Sequence, residues 1–115
     1  MNRLVTAGIL GAIAIALGAF GAHGLKDRLA LISDAAGWWQ TATFYLLTHA
    51  VSIGAVAGRS VWPVRLWAAG SVIFAGTLYA MALGAPRWFG AITPIGGSLL
   101  IAGWLLLAWS ARKES

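Results

Sequence analysis

The chain has no cysteine, which excludes disulfides, Cys-ligated zinc, iron–sulfur clusters and thiol nucleophiles. Acidic residues are nearly missing as well: Asp27, Asp34 and Glu114 are the whole set, and none lies inside an apolar run. That leaves no paired-carboxylate site, no embedded carboxylate for proton coupling and no evident acid ligand for a metal. Charge is scarce overall, at 10% of 115 residues, against 60% hydrophobic. A composition of this kind has room for one domain and almost no soluble part.

What is present is apolar length. Four runs, at 4–22, 38–57, 66–85 and 92–110, hold most of the chain, and the charged residues fall between or outside them. Each has the roughly 20 residues that a helix rising about 1.5 Å per residue needs to cross a core of about 30 Å. Backbone groups in lipid must be satisfied within their own segment, so helices are expected. The expectation is an all-α membrane protein, a four-transmembrane-helix antiparallel bundle in a single domain spanning 1–115. Its helices fall at about 4–22, 37–57, 64–85 and 93–110. The first run is longer than the apolar core of a signal peptide, about 7–15 residues, and is expected to stay as a membrane helix.

The net charge of +5 reads as membrane topology. The basic residues stand at run ends and form no basic stripe, so no nucleic-acid partner is expected. Arg3, Arg59, Arg65, Arg112 and Lys113 flank the terminal side, against Lys26, Arg28 and Arg87 on the other, which predicts both termini inside. The bias is small enough that dual insertion stays open. Trp38, Trp39 and Trp88 are expected at the outer interface and Trp62, Trp67 and Trp109 at the inner one. Trp104 falls inside the fourth run, where its indole N–H needs an acceptor on another helix.

Local signals punctuate the runs. Leu25, Leu29 and Ile32 recur at helical spacing with charges opposite, predicting a short interfacial helix at about 25–32. Ser33 or Asp34 is placed to cap the second helix, Pro63 to open the third, and Thr93-Pro94 to cap and open the fourth. Packing is read from small residues, since helices in lipid associate through close backbone approach. Ala7, Gly11, Ala14, Gly18 and Gly21 form a continuous stripe on the first helix. Gly76, Ala80 and Gly84 form a shorter one on the third, and Gly96, Gly97 and Gly103 lie on the fourth.

The second helix is the polar one. At 100° per residue, Thr41, Tyr45, Thr48, His49 and Ser52 share an arc of about 100°, expected to face inward. His49 lies near the bilayer midplane, where an ionisable residue is by default a candidate site. Its alternatives are bundle glue through a hydroxyl, proton relay, ligand contact or cofactor ligation. His23, at the end of the first helix, either caps its last carbonyls or lines an outward pocket with Tyr45, Tyr79 and Thr93. Gly96 and Gly97 at the head of the fourth helix suit either packing or a ligand. A metal or haem shared by the two histidines is unfavoured, since hairpin geometry separates them by about 20 Å. No catalytic residue, cofactor or metal is expected, and no nucleophile or phosphate-loop motif is evident.

Gly18-Ala19-Phe20-Gly21-Ala22-His23, Trp39-Gln40-Thr41 with Tyr45 and His49, Phe74-Ala75-Gly76-Thr77-Leu78-Tyr79, and Thr93-Pro94-Ile95-Gly96-Gly97 with Gly103-Trp104 resemble the domain-of-unknown-function 423 family, which includes transmembrane protein 256. The motifs occur in family order over nearly the whole chain, with Thr77 where the family usually has serine. The resemblance implies a small inner-membrane protein of bacterial type, with a four-helix fold and no assigned activity. Two classes stay open. One is a structural or accessory component associating with itself or a larger membrane complex through small-residue faces. The other is a small permease or ligand-binding bundle using the polar face of the second helix.

Overall fold

The computed structural model describes residues 2–59 and 61–114, without the side chain of Lys113, one of the charges counted for topology. Among the described residues it is helical, with no strand. The elements are α1 (Arg3–Ala22), α2 (Lys26–Leu29), α3 (Ala35–Ala55), α4 (Val61–Ala82) and α5 (Thr93–Ala111), with 3-10 turns at Arg87–Ala91 and Arg112–Glu114. Among the described residues three helical segments, Arg3–Ala22, Val61–Ala82 and Arg87–Ala111, are long and apolar enough to cross a membrane. The polar residues of α3 make it the least apolar of the four long helices.

The ends of these helices follow from local chemistry. Asn2 caps α1, its side chain accepting the Leu4 N–H at 2.7 Å. The expected cap on α3 is corrected. Asp34 occupies the N-cap position in the left-handed region (φ 71°), and its carboxylate accepts no capping hydrogen bond. Helix α3 begins and ends about two residues before its expected bounds and α4 about three. Gly84 closes α4: at φ +111° it turns the chain so that Ala85 N–H reaches Ala80 O and its own N–H reaches Met81 O, the left-handed termination that glycine favours. Gly84 therefore lies beyond the helix, outside the packing stripe assigned to it. Pro63 falls in the first turn of α4, where a missing N–H is harmless. The interfacial helix shrinks to a single turn. Leu29 is buried against Ala35, Trp39 and Ala82, and Arg28 Nη2 donates to Leu83 O at 2.5 Å, so the segment is folded onto the helix ends.

The long helices pack in sequence order, α1 on α3, α3 on α4 and α4 on α5. Neighbours run antiparallel. Gly21 meets Trp39, Gly18 meets Thr43, Gly11 meets Ala50 and Gly54 meets Ala7, so the five small residues of α1 lie along α3. Between α4 and α5 the approach is closer: a Cβ on Gly96 would sit 2.5 Å from Phe74 N and 2.7 Å from Gly70 O. Only absent side chains permit that contact. The glycine pair expected to serve packing or a ligand is thus divided: Gly96 is filled by α4, and Gly97 lies beside the Phe74 ring. Gly76, by contrast, has nothing within 4 Å of where its Cβ would be. Helices α3 and α4 carry most of the buried residues, and α1 and α5 flank them.

Candidate functional site

Helix α3 buries Ala35, Trp39, Ala42, Leu46, His49, Ala50 and Ile53, a stripe at spacings of three and four. The polar arc was expected to coincide with this stripe and does not. Thr41, Tyr45 and Thr48 are exposed, Ser52 is half-buried and only His49 lies inside. For Ser52 the hydroxyl is satisfied locally. Ser52 Oγ donates to Thr48 O at 2.9 Å, the bond to the preceding turn that lets a helical hydroxyl face outward. Hydrophobic burial then turns the apolar stripe inward and leaves the polar arc on the surface.

His49 is 4% exposed and fully engaged. Nδ1 lies 2.6 Å from Tyr45 O, a carbonyl that can only accept, so Nδ1 carries the proton and donates it. Nε2 is left with its lone pair and accepts the Trp104 indole N–H at 3.1 Å. The imidazole is therefore neutral, in one tautomer, with no nitrogen left for a metal. Trp104 reaches it from α5. Trp67 of α4 completes the cluster, its ring 6.1 Å from His49 and 4.4 Å from Trp104 between centroids. Trp67 is fully buried, which corrects its assignment to the inner aromatic belt. Gly103 makes room for it, since a Cβ there would lie 2.6 Å from Trp67 Nε1. That indole N–H has no hydrogen-bond partner.

A second cluster lies nearer the loop-side ends. Trp39 was expected in the outer belt and is buried, donating from Nε1 to Leu17 O at 2.7 Å and meeting Tyr79 edge-on at 4.5 Å. Gly21 admits it. Tyr79 shares a 2.7 Å hydrogen bond with Thr43 of α3, while Thr77 and Thr93 share one of 2.6 Å between α4 and α5. Thr93 was expected to cap α5 through free N–H groups. Its hydroxyl is held by Thr77 and Phe89 O instead, because Ile92 occupies the cap position.

The expected outer pocket does not assemble. Tyr45 packs on Phe74, Tyr79 on Trp39 and Thr93 on Thr77, three separate contacts set by antiparallel register. His23 is exposed. The expected imidazole cap is replaced by its backbone N–H, which bonds Ala19 O and Phe20 O. His23 instead borders a shallow apolar cleft of about 340 Å³ with Ala16, Ala19 and Phe20. A cleft of similar volume lies between α1 and α3, bordered by Gly18, Gly21, Gln40 and Thr43, and a larger one of about 740 Å³ between the starts of α1 and α4. None of the three is lined by His49. Among the described residues, no group of three or more His, Cys, Asp or Glu could hold a metal.

Sequence reasoning missed Thr43, Thr77 and Gln40 as interior or cleft residues. Antiparallel register was the available signal for Thr43, since a hairpin that sets Gly21 beside Trp39 sets Gly18 beside Thr43.

Comparison with known proteins adds identity at the level of family. A family model described as a protein of unknown function (DUF423) matches residues 17–97. A UPF0382 membrane protein of Staphylococcus epidermidis is 40% identical over 98% of this chain and 98% of its own length. The UPF0382 membrane protein SSP2132 of Staphylococcus saprophyticus is 41% identical over 98% and 99%. The UPF0382 inner membrane protein YgdD of Escherichia coli K12 is 37% identical over 96% and 88%. No solved structure matches.

Proposed function

The chain belongs to the DUF423 family, a family of unknown function whose relatives here are named as membrane proteins, and on that premise we propose a non-catalytic accessory role in the membrane. In this reading the protein packs against another membrane-embedded helix, from a second copy or from a larger complex. One observation carries it: Thr41, Tyr45 and Thr48 lie exposed on one arc of α3, a helix packed between two segments apolar enough to span. Hydroxyls at that depth favour a protein neighbour, because helices in membranes associate through packing and interhelical hydrogen bonds. The small-residue faces of α1 and α5 are not the contact surface, as α3 and α4 already cover them.

In the same reading α3 also crosses, giving four crossings with both termini on the cytoplasmic face of a bacterial inner membrane. Its 21 residues extend about 32 Å, enough to span. The five-to-three excess of basic residues at the terminal end supports the orientation. No enzymatic step is assigned, and the saturation of both His49 nitrogens supports that choice.

Extraction in mild detergent followed by size determination tests the role. The wild-type protein is expected in a species larger than its 12.0 kDa protomer, and Thr48→Lys is expected to abolish it while retaining helicity. A wild-type protein that is monomeric in native-lipid nanodiscs would sink the proposal.

A further inference from the structure

At the terminal end of the molecule, the first turn of α1, the 57–58 bend and the first two turns of α4 enclose the cleft of about 740 Å³. Arg3 and Arg65 line it. Arg3 is held in place by one donated hydrogen bond, from Nη1 to Arg59 O at 2.6 Å, which leaves most of its five N–H donors for another acceptor. The Arg65 guanidinium stands 5.1 Å from the centre of the Trp62 ring, an anchorage that leaves its edge open to an anion. Neither arginine has an acidic partner among the described residues. Glu114 is the only carboxylate side chain on the terminal side, and it pairs with Arg59. Two like charges bordering one cleft repel each other, and an anion between them relieves that repulsion.

The lower wall of the cleft is of opposite character. Val61, Val64 and Ala68 continue it along α4, so that Ala68 lies about 10 Å further into the molecule than the first residue of the helix. A cationic rim over an apolar wall matches a phosphate ester joined to hydrocarbon, and matches a free inorganic anion poorly. We infer that this cleft binds the phosphodiester headgroup of an anionic phospholipid, with the acyl chains descending along α4. The inference stands apart from the partner face on α3, which involves none of these residues.

Native mass spectrometry of the full chain in neutral detergent tests it, titrating phosphatidylglycerol, phosphatidylcholine and inorganic phosphate separately. Phosphatidylglycerol is expected to bind more tightly than phosphatidylcholine, and Arg3→Gln and Arg65→Gln each to weaken it about fivefold, the weight of one basic side chain at an anionic surface. Arg87→Gln, at the opposite end, is expected to leave it unchanged. Arg65 makes no hydrogen bond among the described residues, so Arg65→Gln carries the test even if Arg3→Gln perturbs folding. Equal binding of the two lipids overturns the inference, as does an Arg87→Gln effect matching that of Arg65→Gln. Displacement of the lipid by inorganic phosphate at equal concentration overturns it too, since the site would then serve a soluble anion.

Discussion

Gly96 and Gly103 are residues of the α4–α5 contact at which one added methyl group would be felt strongly. At Gly96 the new carbon would meet backbone atoms of α4 at 2.5 and 2.7 Å, which cannot rotate away. At Gly103 it would meet the buried indole of Trp67 at 2.6 Å. Overpacking of this kind costs about 1–3 kcal/mol, so Gly96→Ala and Gly103→Ala are expected to lower the melting temperature in detergent clearly, Gly96→Ala more. Gly76→Ala, with open space around it, is expected to be neutral or slightly stabilising. Equal melting temperatures for all three would contradict the α4–α5 packing. The hydrogen bond between Trp104 and His49 is a separate matter of pairing. A double-mutant cycle of Trp104→Phe and His49→Leu is expected to give a coupling of about 0.6 kcal/mol, the average for interhelical hydrogen bonds in membranes. Additive effects would mean that the indole finds no acceptor in His49.

Helix α3 shows how far a sequence can be read at the level of an element. Its existence was legible from apolar length, and the need of Trp104 for an acceptor followed from its place in the last run. Which side of α3 turns inward was not legible. Five polar side chains on one arc suggest an interior face only if they require partners, and Ser52 meets that need on its own helix at Thr48 O. The tryptophans misled for a related reason. Trp39 and Trp67 fall near run ends, as belt residues do, yet Gly21 and Gly103 on facing helices open room for them inside. Complementarity of that sort depends on register between helices, which hydropathy does not encode. The loop-side cluster gives a prediction for the α3–α4 pair. Tyr79→Phe and Thr43→Val remove the same 2.7 Å bond, so the double variant is expected to be no less stable than the more damaged single one, by thermal unfolding. Summed losses would show that the hydroxyls act separately.

For the whole molecule, the absence of cysteine makes topology directly measurable. Single cysteines placed at Ala30 and at Gly58 lie at opposite ends of the packed helices. If both termini lie inside, as proposed, a membrane-impermeant maleimide added to spheroplasts is expected to label Ala30→Cys at once and Gly58→Cys only after permeabilisation. Labelling of both without permeabilisation would show insertion in two orientations, which the modest charge bias makes the relevant alternative.

The accessory role turns on whether the outward arc of α3 touches protein or lipid in the native membrane. A photo-crosslinking residue at position 48, compared with one at Val72, an exposed site on α4, measures this most directly. The account predicts a discrete crosslinked protein band from position 48 and only lipid adducts from position 72. Lipid adducts alone at both positions would contradict it.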